Sequence, residues 1–86
     1  MTRQERDVEE AIMLRTDPGL CEIMGWPKGP IDPATIMVVL CSHVDREYWE
    51  VDESMKDLRI GELILALAIL IAEGRVQDSG GYYAMA

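Results

Sequence analysis

Over residues 52–86 the apolar and polar positions change rhythm at each glycine, and the changes mark elements. Ser54-Met-Lys-Asp57 has the spacing of a capping box and predicts a short helix to Ile60, with Met55 and Leu58 facing inward. Gly61 reads as a break. After it, Glu62-Leu-Ile-Leu-Ala-Leu-Ala-Ile-Leu-Ile-Ala-Glu73 forms an apolar helix that Gly74 ends. Arg75-Val76, the turn Gln77-Asp-Ser-Gly-Gly81 and Tyr82-Tyr-Ala-Met85 then read as a β-hairpin, in which Gly80 and Gly81 serve the backbone turn.

Upstream, residues 3–15 are good helix formers with a narrow apolar stripe at Val8, Ala11 and Ile12, acids early and Arg15 late, as the helix dipole prefers. Asp17-Pro18 and Asp32-Pro33 each place a capping side chain before a proline at the first helical position. They predict helices over 18–24, which Gly25 stops, and over 33–44. Ile31 and Ile36 have the spacing of a hydrophobic staple, and Ile36, Val39, Leu40, His43 and Val44 follow helical spacing, with Met37 and Val38 widening the face. Gly25-Trp-Pro-Lys-Gly-Pro30 cannot propagate a helix and reads as a connector anchored by Trp26. Tyr48-Trp49-Glu50-Val51 is rich in strand formers and predicts a short strand.

From Ile31 onward the predicted order is helix, short strand, helix, helix, hairpin, and the last helix runs into the hairpin through Leu70-Ile-Ala-Glu-Gly-Arg-Val76. This order and this L-x-x-E-G-x-V run resemble the second half of a winged helix-turn-helix domain. The resemblance covers about 31–86. The expected fold class is therefore mainly α with a small β-hairpin: one domain, with a winged-helix-like core over 31–86 and a helical extension and connector over 1–30. In winged-helix DNA readers the third helix lies in the major groove and exposes Arg, Lys, Asn, Gln, Ser or Thr. The matching helix here exposes none of these. As a DNA-binding transcription regulator, the alternative reading, the chain would have to use Lys56, Arg59 and Arg75, which flank that helix.

Charge weighs against that alternative. Eight basic residues against 16 acidic ones give a net charge of −8, and the excess is spread: 5 basic against 10 acidic in residues 1–51, 3 against 6 in 52–86. A field of this sign repels a polyanion at long range, so direct nucleic-acid binding is disfavoured. Apolar residues make up 49% of the 86, ample for a core in so short a chain. The N-terminal Met1-Thr-Arg-Gln-Glu-Arg-Asp7 lacks the apolar stretch of a signal peptide, and Leu63–Ala72 is about half the length a membrane span requires. The expectation is a cytoplasmic protein with Cys21 and Cys41 reduced and no membrane contact.

Sequence chemistry offers no catalyst, no metal centre and no cofactor site. Cys41 and His43 lie two apart on a predicted helix and point about 200° apart, so they cannot chelate one ion without help. One histidine with no glycine-rich turn gives no nucleophile–base pair, and there is no glycine-rich phosphate loop. The candidate surface is instead one for contacts. If Leu63, Ile64, Leu67, Leu70 and Ile71 form the inner face of the apolar helix, then Leu65, Ala66 and Ile69 face outward with Glu62 and Glu73. Either the N-terminal helices cover them, or a second copy in a homodimer, or a partner protein. Tyr48 and Glu50 lie in an aromatic-acidic segment that reads as a recognition edge for a basic partner, or as a strand whose Trp49 fills the core. Of Tyr82 and Tyr83 one should pack and the other, Tyr82 in this reading, should be exposed. The function these features imply is non-catalytic protein–protein interaction, as an adaptor, a regulator or a small phage-type inhibitor presenting negative charge to a nucleic-acid-binding machine.

Overall fold

The computed structural model describes residues 1–86. Its first helix, α1 (Arg3–Thr16), is capped by Thr2, whose hydroxyl accepts from the Glu5 amide at 3.2 Å and donates to the Glu5 carboxylate at 2.7 Å. The narrow stripe of Val8, Ala11 and Ile12 is fully buried. Both cap-then-proline signals hold: Asp17 accepts from the Leu20 amide at 2.8 Å to start α2 (Pro18–Met24), and Asp32 from the Thr35 amide at 2.9 Å to start α3 (Pro33–Val39). The hydrogen bonds at Thr35 hold the Asp32 carboxyl below its ordinary value. Ile31 and Ile36, the staple pair, are both buried. Beyond Val39 the helix widens into a π turn, Leu40–Val44, closed by the Asp45 amide on the Leu40 carbonyl at 3.0 Å.

Three local expectations fail. Residues 48–51 do not form a strand; Asp45 caps a one-turn helix, α4 (Arg46–Trp49), by accepting from the Tyr48 amide at 3.2 Å. The aromatic residues there have no neighbouring strand to pair with, so their strand preference is overruled by packing. Trp49 swings fully inside and donates its indole N–H to Asp7 at 2.9 Å, tying α4 to α1. The second failure is Gly61. A single 3-10 turn (Glu53–Met55) leads into one continuous helix, α5 (Lys56–Ala72), that passes straight through it. One internal glycine costs only about 1 kcal/mol, less than a run of strong helix formers packed on a core supplies. The Ser54 box does not form either: Ser54 donates to Asp52 at 2.6 Å, and Met55 and Leu58 are exposed.

Gly74 ends α5 as expected, in a left-handed conformation (φ 75°). The amide of Arg75 reaches the Leu70 carbonyl and that of Gly74 the Ile71 carbonyl, the paired bonds of a Schellman motif. The chain turns directly into β1 (Val76–Asp78) and β2 (Tyr83–Met85), antiparallel with Val76 opposite Met85 and Asp78 opposite Tyr83. Ile31 adds a third extended position, exchanging both backbone bonds with Tyr83 at 2.9 and 2.7 Å. The fold is mainly α with this small antiparallel hairpin. Its core is a single cluster in which Val8, Ala11 and Ile12 of α1 meet Leu63, Ala66, Leu67 and Leu70 of α5, closed by Ile36, Val39, Leu40 and Trp49. No helix is long and apolar enough to cross a membrane.

Candidate interaction surface

At about 100° per residue, an α5 that is continuous from Lys56 presents three sides. The inner one carries Leu63, Ala66, Leu67 and Leu70, all buried. Ala66 was expected outside; α1 lies over it, and the small side chains of Ala11 and Ala66 suit a close crossing of two helices. Ile69 is half-buried at the edge of that contact, and only Leu65 of the three expected outward positions is open, at 62% exposure. Leu65, Ala66 and Ile69 nonetheless border one hollow of about 210 Å³, with Gln4, Glu5 and Glu62 on its polar side.

Tyr48 closes the same corner. The guanidinium groups of Arg3 and Arg59 both lie over its ring, 4.5 and 4.0 Å from the ring centre. Its hydroxyl donates to Glu62 and accepts from the Gln4 amide at 2.7 Å, and Gln4 also donates to Glu62 at 2.7 Å. Arg59 completes the ring, donating to the other Glu62 oxygen at 2.6 Å and to the Tyr48 carbonyl at 2.8 Å. Burial alone would raise the Glu62 carboxyl, but the bonds from Tyr48, Gln4 and Arg59 outweigh it and hold the group below its ordinary value. Burial, then the bond to that carboxylate, pushes the Tyr48 phenol up. Tyr48 is thus a half-buried fastener of α1, α4 and α5, and not the strand edge that the sequence implied.

The remaining candidates are scattered. Glu50 is exposed and paired with Arg46 at 2.8 Å; Tyr82 stands 53% exposed at the hairpin turn, while Tyr83 packs on the core. The three basic residues that would touch nucleic acid all carry anions already. Lys56 pairs with Glu53 at 3.0 Å, Arg59 with Glu62, and Arg75 with Glu9 at 2.9 Å, a hydrogen bond that raises the Arg75 pKa. Both cysteines are free; the Cys21 thiol donates to the Arg15 carbonyl at 3.1 Å. Burial, then the Glu50 carboxylate, pushes the Cys41 thiol up, which lowers its reactivity. His43 is exposed, its ring edge-on to Trp26 at 6.0 Å, and Arg15 stacks on the same indole at 5.0 Å, which anchors the connector. No three His, Cys, Asp or Glu side chains converge as a metal site would need.

The third side of α5 holds a surface that the sequence did not disclose. Between α3 with its π turn and α5 runs an apolar groove of about 560 Å³, walled by Val38 on one side and Ile60 and Ile64 on the other, with Met37, Cys41 and Leu63 among its lining. Val38 is 63% exposed, and Ile60 and Ile64 49% each. Ile64 was assigned inward and Val38 to a broad inner face; both lie outside. Taking Gly61 as a break hid the register, because Ile60 and Ile64 belong to one stripe only if the helix is unbroken. Set beside known proteins, the chain matches no family model, no curated protein and no solved structure.

Proposed function

We propose that this chain is a winged-helix-like, non-catalytic acidic protein that acts by contacting another protein, as an adaptor, regulator or inhibitor. The winged-helix reading is supported by the order α1, the Ile31 bridge, α3, α5, hairpin, in which Ile31 takes the place of the strand expected at 48–51 as the segment paired with the hairpin. On this reading α1 belongs to the core helices and is not an appendage.

One observation carries the function: α5, the helix that would read DNA, offers only apolar side chains outward between Leu63 and Ala72, and every basic group flanking it is already ion-paired. Phosphate binding would require breaking those pairs in a chain of net charge −8, while an apolar and acidic face suits a protein carrying apolar and basic groups. Titrating a labelled mixed-sequence duplex at ~50 mM salt should give no saturable binding tighter than ~10⁻⁴ M. Nanomolar binding with a steep salt slope would overturn the reading.

A further inference from the structure

We propose that the groove between α3 and α5 receives an amphipathic helix from a partner protein, apolar on the face it inserts and rich in Lys or Arg on its flanks. This deepens, and rests on, the reading of the chain as a protein-contacting module.

The groove is not closed by the chain itself. Ile36, Val39 and Leu63 lie inside, yet Val38, Ile60 and Ile64 remain exposed, side by side across one concavity. Grouped apolar exposure of this kind marks a contact surface where single exposed residues do not. Past Met37, Cys41 and Ile60 the groove continues into a second hollow of about 270 Å³ that reaches Val51, Glu50 and the ion-paired Lys56 and Arg59, so it is elongated along the helices.

Its walls decide the shape of the occupant. Both are helical segments whose backbone groups are bonded within themselves, so they offer no edge to an added strand. An extended segment laid on this floor would leave its own amides and carbonyls unpaired against hydrocarbon. A helix satisfies its backbone internally and needs only apolar side chains at i, i+3, i+4 and i+7 to fill the groove.

Charge decides the partner. Between Asp45 and Ile60 the cations Arg46, Lys56 and Arg59 are all paired, whereas Glu47, Asp52 and Asp57 have no cation. Asp57 stands one turn before Ile60 and Gly61, on the stripe that continues to Ile64. Basic flanks on an inserted helix would meet Asp57 beside the stripe and Glu50 in the adjoining hollow. A second copy would instead bring its own −8 charge and the same acids against them.

The test uses the full chain and a synthetic helix with Leu at the inserting positions and Lys elsewhere, alongside one with Glu in place of Lys and one with a central proline. Wild type should bind the Leu/Lys helix saturably at micromolar concentration and the other two far more weakly, with NMR shifts centred on the methyl groups of Met37, Val38, Ile60 and Ile64. The double variant Val38→Glu, Ile64→Glu should bind it at least about tenfold more weakly. It gains negative charge, so a loss cannot come from weaker long-range attraction. Its melting curve checks the fold, and the shift map on wild type stands independently should the variant melt early. Shifts centred elsewhere, equal binding by the double variant, or no binding to wild type would overturn the proposal. So would a wild-type dimer, seen by sedimentation, that the double variant dissociates, because the occupant would then be a second copy. If Leu65→Glu abolishes binding and the double variant does not, the groove is wrong while the protein-contact reading survives.

Discussion

Glu62 shows how much one side chain can settle. It lies at the start of the uncharged run and reads as an outward helix position, yet it gathers Gln4 from α1, Tyr48 from α4 and Arg59 from its own helix around one carboxylate. Charge-assisted bonds of this kind favour the ionised form, which is why the group stays acidic despite its burial. A carboxyl whose native pKa lies below its unfolded value stabilises the fold fully above the unfolded value, near 4.5, and loses that contribution as pH falls through the lower native value. Glu62→Gln keeps the shape and removes the charge. The stability gap between wild type and Glu62→Gln, measured by urea denaturation, should be largest near neutral pH and should shrink below about pH 4.5. A gap independent of pH would mean that the ionised form contributes nothing.

The helix through Gly61 is the element on which the sequence and the structure part most clearly. Gly61 has helical backbone and open space where a Cβ would stand, so Gly61→Ala should stabilise the protein by about 0.5–1 kcal/mol. Gly74 is the opposite case: at φ 75° it terminates α5, and Gly74→Ala should destabilise by about 1 kcal/mol or more. Thermal melts of the two variants check both signs, and a destabilised Gly61→Ala would restore the break. The same contrast explains what was legible. Asp17-Pro18, Asp32-Pro33, Gly25 and Gly74 act through local backbone chemistry, so the end of α1, both ends of α2, the start of α3 and the end of α5 could be read from residues alone. One of the two readings of its segment put Trp49 in the core, but as part of a strand; the bond to Asp7 across the molecule is out of reach of a local reading. The faces of α5 were illegible for a different reason. Residues 63–72 hold no polar side chain to mark the wet side, so nothing in the pattern separates Ala66, under α1, from Ile64, in the open groove.

At the scale of the whole molecule the charges divide the surface. Arg3, Arg46, Lys56, Arg59 and Arg75 are each held by a carboxylate of the same chain, and the carboxylates left without a cation outnumber the remaining Arg6, Arg15 and Lys28. On the proposed function such a surface would resist polyanions and accept basic, partly apolar protein segments. The groove at Val38 and Ile64 and the open Leu65 lie on different sides of α5, so a partner can be located by where it touches. The most direct measurement is site-specific photocrosslinking in the cells that make the protein, with a photoreactive amino acid placed in turn at Val38, Leu65 and Lys56. The account predicts a nuclease-resistant adduct to one protein, strongest from Val38, whose crosslinked peptide is a basic amphipathic helix. Nucleic-acid adducts from Lys56, with no protein adduct from Val38 or Leu65, would contradict it.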